Sequence, residues 1–143
     1  ADARNGYDLW NLGLSYYFAR DYEQAVEQYR RSLAQDARSY WPHMLLSWAC
    51  LQQGKFDEAI TAAQQAHRLN DNPQTLASLG YAYARAGRRE EAQTVLAELQ
   101  TLAQRKYVSP YDVATVYAGL GDHEKTLAWL EKAYADRSGW LAW

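Results

Sequence analysis

The sequence predicts an all-α chain of about four helix-turn-helix units, and three series of landmark residues at one spacing predict it. The segments 12–16, 46–50, 79–83 and 113–117 follow one another at steps of 34, 33 and 34 residues. Ala25, Ala59, Ala92 and Thr126 keep the same steps, as do Gly54, Gly87 and Gly121 with Arg20 in the first slot. Three series in one register mark an internal repeat. Three prolines and eight glycines among 143 residues leave long stretches free for helix. The units run approximately over 6–39, 40–72, 73–106 and 107–138 of a single domain, 1–143, and residues 139–143 read as the start of a further, truncated helix.

Each unit reads as two helices around a tight turn. In the first, Leu9, Leu12, Gly13 and Tyr16 share the side that faces the partner helix, which brings Ala25 opposite them. In the second, residues 41–53 are apolar on most sides, Gly54 suits a left-handed cap, and 56–69 form the next helix. Asp57 and Glu58 open that helix, where negative charge complements the dipole, and Glu23, Glu90, Glu91 and Glu124 hold the matching places. Gly13, Ser47, Gly80 and Ala114 are small enough for a close helix crossing. The run Asn70, Asp71, Asn72, Pro73 breaks the chain before the third unit, and Ser109 with Pro110 starts the fourth.

Composition excludes several function classes. Fifteen Lys and Arg against 17 Asp and Glu give a net charge of −2, so there is no basic excess for nucleic acid. The single cysteine, Cys50, forms no internal disulfide. The longest mostly apolar stretch, 44–51, is far shorter than the roughly 20 residues of a spanning helix, and residues 1–6 are too polar for a signal peptide. A cytoplasmic protein without membrane contact is expected. No catalytic constellation is expected either. His43, His67 and His123 lack metal-ligand spacing, and Cys50 reads as a small core residue. Asp57 with Glu58, and Glu90 with Glu91, are adjacent pairs that diverge around a helix rather than an opposed acid and base. Gly119, Leu120 and Gly121 end a helix without the lysine of a phosphate loop, and Arg85, Arg88 and Arg89 sit in a solvated turn. Catalytic, metal and cofactor sites are therefore all assigned as none.

The period near 34, the Leu-Gly-x-x-Tyr pattern at 12–16 and 79–83, and the later alanine resemble the tetratricopeptide repeat. The resemblance covers about residues 6–138. It implies a right-handed α-solenoid with a concave binding surface, a role in binding proteins, and no catalysis. The family's early tryptophan is replaced here by Leu9, His43, Leu76 and Pro110, and Cys50 stands where a tyrosine is usual. The last unit, with Tyr107, Pro110, Tyr111, Tyr117, Trp129 and Tyr134, resembles repeats found late in bacterial multidomain regulators. Those couple such arrays to winged-helix, kinase or cyclase modules. Because the sequence stops at Trp143 where a further helix is expected, it reads as a fragment lacking its output module.

The first helix of each unit carries a second apolar stripe, apart from the core side. At about 100° per residue, Tyr7, Trp10, Leu14 and Tyr17 lie within roughly 80° of one another. Trp41, Met44, Leu45 and Trp48 continue the stripe in the second unit, Tyr81 in the third and Tyr111 in the fourth. The resemblance places this side in the groove, so these ten residues are the expected partner-binding set. The chain has 12 Tyr and 6 Trp against 2 Phe, a skew toward side chains that pair apolar area with a polar tip. An apolar or amphipathic peptide or helix is the expected partner, although a stripe at helical spacing also describes a self-filled core. Trp10, Leu14, Leu45, Gln74 and Ser78 occupy the places of the family's carboxylate clamp, so no chaperone C-terminal tail is expected. Two other readings stand beside this one. The first is a homodimer formed through the groove or through the apolar tail Trp140, Leu141 and Trp143. The second is a groove that accepts a small hydrophobic ligand.

Overall fold

Local chemistry places the helix ends. The structure, a computed structural model, describes residues 5–141. These form eight helices: α1 (Gly6–Phe18), α2 (Tyr22–Gln35), α3 (Tyr40–Gln52), α4 (Phe56–Leu69), α5 (Pro73–Arg85), α6 (Arg89–Ala103), α7 (Pro110–Leu120) and α8 (His123–Leu141). Asn5 caps α1 by accepting from the Asp8 amide at 2.9 Å, and Asp21 caps α2 through Gln24 at 3.2 Å. Asn72 and Thr75 form a reciprocal capping box, with Thr75 N donating to Asn72 Oδ1 at 2.8 Å and Asn72 N to Thr75 Oγ1 at 3.2 Å. Pro73 and Pro110 sit in the first turns they were expected to start.

The turn inside each pair is the same structure four times. Gly54, Gly87 and Gly121 have φ of 74°, 82° and 76°, and Arg20 takes the equivalent slot at 64°. In each turn the following amide closes back onto the end of the preceding helix: Asp21 to Tyr16 O, Lys55 to Cys50 O, Arg88 to Tyr83 O and Asp122 to Tyr117 O, at 2.9–3.1 Å. Arg20 alone adopts the left-handed conformation with a Cβ, which costs on the order of 1–2 kcal/mol. Arg20→Gly is therefore expected to raise stability by up to about 1 kcal/mol, the net of relieved strain and a freer unfolded chain, as read by urea denaturation.

The chain comprises two compact units, residues 1–71 and 72–143, divided in the sequence within the run Asn70 to Pro73. In the first, α1 pairs with α2 and α3 with α4, and α2 packs along α3. In the second, α5 pairs with α6 and α7 with α8, while α5 and α7 pack closely along each other. The small residues of the repeat lie at these crossings. A Cβ on Gly13 would come within 2.4 Å of the Tyr29 ring, and one on Gly80 within 2.6 Å of Val95 Cγ1. Ser47 is fully buried and donates to Ala59 O at 2.8 Å, tying α3 to α4. Ala25, Ala59 and Ala92 are wholly buried on the partner helices.

Tyr29 is the largest fully buried side chain of the first unit. Among the described residues its hydroxyl has no hydrogen-bond partner. Burial, assisted by the Tyr17 phenol, pushes its pKa far above the ordinary tyrosine value. Tyr29→Phe removes the unsatisfied oxygen and keeps the ring, so a gain of about 1 kcal/mol in denaturant stability is expected.

One boundary differs from the sequence reading. α8 runs unbroken to Leu141, through the point at 138–139 where a new helix was expected. Gly139 costs a helix only about 1 kcal/mol, too little by itself to end α8. The tail residues Trp140, Leu141 and Trp143 lie outside the described side chains.

Candidate partner-binding face

In the first unit α1 has two distinct sides. Leu9 and Gly13 are buried against α2, while Tyr7, Trp10, Leu14 and Tyr17 lie on the other side. Across α1 and α3 the aromatic rings form a continuous series. Tyr7 and Trp10 have centroids 4.9 Å apart, Trp10 and Trp41 6.2 Å, and Trp41 and Trp48 5.9 Å, with planes at 76–81°. This edge-to-face arrangement is the one ring quadrupoles favour, at about 0.5–1.5 kcal/mol per pair. The three indoles are half-buried and Tyr7 is 62% exposed. The rings are thus held rigidly by one another while part of each still faces solvent.

The other sequence-assigned residues fall in different surroundings. Tyr17 is half-buried, stacks on Phe18 at 5.7 Å and Tyr22 at 5.4 Å, and accepts a long bond from the Gln52 amide at 3.5 Å. Leu14 is half-buried beside it in α1. Met44 and Leu45 are both 0% exposed and belong to the packed interior. α3 is apolar nearly all round, so part of its stripe is core.

Tyr81 and Tyr111 lie in the second unit. Tyr81 is half-buried, rests on Gly119, and receives the Arg85 guanidinium both as a 2.9 Å hydrogen bond and over its ring at 5.6 Å. Tyr111 is 46% exposed and borders a cavity of about 630 Å³ with Tyr107, Pro110, Asp136 and Arg137. Ala77, Ala84 and Gly119 stand where the first unit has larger residues, and α5 and α7 approach closely over them. In the first unit Trp10 and Trp41 come between α1 and α3, which touch at few points.

The aromatic face carries almost no formal charge. Asp8 is the only Asp, Glu, Lys or Arg on α1, and α3 has none. His43 on α3 is bonded to Ala37 O at 3.0 Å.

A second feature of this unit escaped sequence reasoning. A cavity of about 410 Å³ is lined by Leu33, Leu46, Cys50 and Ala62, with Arg30 and Glu58 at its rim. Arg30 bridges to Glu58 at 3.1 Å across 28 residues of sequence, and the pair is too exposed to contribute more than about 1 kcal/mol. Cys50 is buried, and burial pushes its thiol pKa up, followed by the Glu58 carboxylate. A thiol held protonated in this way is a poor nucleophile.

Among the described residues no three His, Cys, Asp or Glu side chains gather as a metal site, and no helix is long and apolar enough to cross a membrane. Two sequence models described as tetratricopeptide repeat match the chain, one at residues 11–74 and one at 51–108. No curated protein matches it. Solved structures of MamA are similar in fold. One crystal structure of MamA superposes with a TM-score of 0.65 at 19% identity, covering 99% of this chain and 84% of that one. MamA AMB-1 gives 0.61 at 25% identity, with 97% and 76% covered, and MamA MSR-1 gives 0.62 at 25%, with 96% and 81% covered.

Proposed function

The chain belongs to the tetratricopeptide repeat proteins, which act as protein-interaction scaffolds and are generally non-catalytic, and we propose that it docks an apolar or amphipathic partner segment on the face built by Tyr7, Trp10, Trp41 and Trp48. One observation carries this reading. The ring series is additional to a complete core, since Leu9, Tyr29, Met44 and Leu45 already fill the interior while the rings keep solvent contact. Rigid aromatic area with few rotamers to freeze is the usual source of binding energy at protein interfaces. Resemblance of the last unit to repeats of bacterial regulators supports a wider setting in which such docking is coupled to an output module. Titration of the chain with a synthetic Leu/Ala amphipathic helix, followed by tryptophan emission and by calorimetry, tests the reading. Saturable binding with an emission change supports it, and no heat and no emission change at millimolar peptide contradicts it.

A second reading, self-association, is favoured by α8. Leu127, Leu130 and Tyr134 lie on one side of that helix and are exposed by 58%, 39% and 71%. Light scattering over a hundredfold concentration range separates the two. A mass that doubles with concentration, and no longer does so in Leu127→Ser, supports self-association through α8, and a constant monomer mass removes it.

A further inference from the structure

The aromatic side chains of the two units differ in what lies on them. In the second unit the Tyr81, Tyr83, Tyr117 and Trp129 rings are each covered by a cation of the chain itself, Arg85, Arg88, Lys125 and Lys132, at 5.1–6.0 Å. In the first unit, among the described residues, no Lys or Arg lies over Tyr7, Trp10, Trp41 or Trp48, whose neighbours are one another. Neither α1 nor α3 contains a Lys or Arg, and their single formal charge is the negative Asp8. Residues 1–71 contain nine acidic against seven basic side chains, so this unit holds the whole net charge of −2. An aromatic face is the negative pole of the ring quadrupole, and an indole is the best acceptor of a cation among the side chains.

Building on the docking reading above, we infer that the face built by Tyr7, Trp10, Trp41 and Trp48 selects a partner segment that carries cations, with an arginine or lysine side chain seated over an indole beside the partner's apolar residues. Two features of the face fit that occupant. The half-buried rings hold one another in place, so the cation meets a fixed π surface that is partly desolvated, where the attraction is strongest. No cation of this chain on α1 or α3 repels the incoming one.

The test uses three synthetic peptides with the same Leu/Ala apolar stripe, whose flanking positions are all arginine, all glutamine or all glutamate. Calorimetry with the full chain is expected to give about tenfold tighter binding for the arginine peptide than for the glutamine peptide, with the glutamate peptide weakest. The preference is expected to persist at about 1 M salt, where the screening length falls to about 3 Å and attraction to distant carboxylates is lost. Trp48→Phe should keep the preference and Trp48→Leu should lose most of it. If Trp48→Leu does not fold, the Trp10→Phe and Trp10→Leu pair reads the same quantity. Equal binding of the arginine and glutamine peptides, or a preference abolished by salt, overturns the selection of cations and leaves docking of apolar segments standing. Failure of all three peptides to bind overturns both.

Discussion

Gly13→Ala will cost the chain about 2 kcal/mol of folding free energy, although it adds a single methyl group. The new Cβ would lie 2.4 Å from Cε1 and 2.7 Å from Cδ1 of Tyr29, well inside contact distance. The ring cannot swing away, because Tyr29 is 0% exposed and packed on every side. Either α1 lifts from α2 or the ring is forced off its rotamer, and both belong to the upper end of overpacking costs, about 1–3 kcal/mol. Alanine's better helix propensity returns at most about 1 kcal/mol. Denaturation of the single variant, and of Gly13→Ala combined with Tyr29→Leu, checks the mechanism. In the double variant the smaller side chain makes room, so the added penalty of the alanine should largely disappear, a coupling read directly from the cycle. An additive cycle would mean that the contact is not what makes Gly13 necessary.

Trp48→Ala will weaken binding of an amphipathic peptide by about 2 kcal/mol or more, roughly thirtyfold, the size expected of an aromatic anchor. Trp48 stacks on Trp41 at 5.9 Å and is half-exposed, so its removal takes away both contact area and the support that fixes Trp41. The loss in folding free energy should be smaller than for Gly13→Ala, since no buried clash is created and the core beneath keeps Met44 and Leu45. Thermal melts and calorimetry on the same preparation give both numbers. A variant that unfolds as readily as Gly13→Ala yet binds peptide normally when folded would assign Trp48 to the core instead.

Much of the fold is legible in the sequence because each repeat spells out its own turn. The left-handed slot is written as glycine three times, and the 34-residue step identifies Arg20 as its fourth occupant without any contact information. The small residues at 13, 47 and 80 are legible for the same reason, since a shared register assigns them to one crossing. The face is legible on α1, where the wheel separates Leu9 and Gly13 from Tyr7 and Trp10. It is not legible on α3, whose wheel has no polar side, so Met44 and Leu45 could not be told apart from Trp41 and Trp48 by periodicity. The cations over Tyr81 and Tyr117 lie four and eight residues along the chain, within reach of a local pattern. The Arg30 to Glu58 bridge and the cavity over Cys50 depend on how α2 and α4 are each set against α3, which no local pattern reports.

On the docking proposal, the aromatic face of the first unit is a surface for a partner, beyond what the core requires. Fluorine NMR of the chain grown with 5-fluorotryptophan tests it most directly. Each of the six tryptophans contributes one signal, to be assigned by single Trp→Phe variants. On addition of an arginine-flanked amphipathic peptide, the signals of Trp10, Trp41 and Trp48 should shift together while that of Trp129 stays in place. Shifts confined to Trp129 or to the tail, with the three α1 and α3 indoles unmoved by saturating peptide, would contradict the claim.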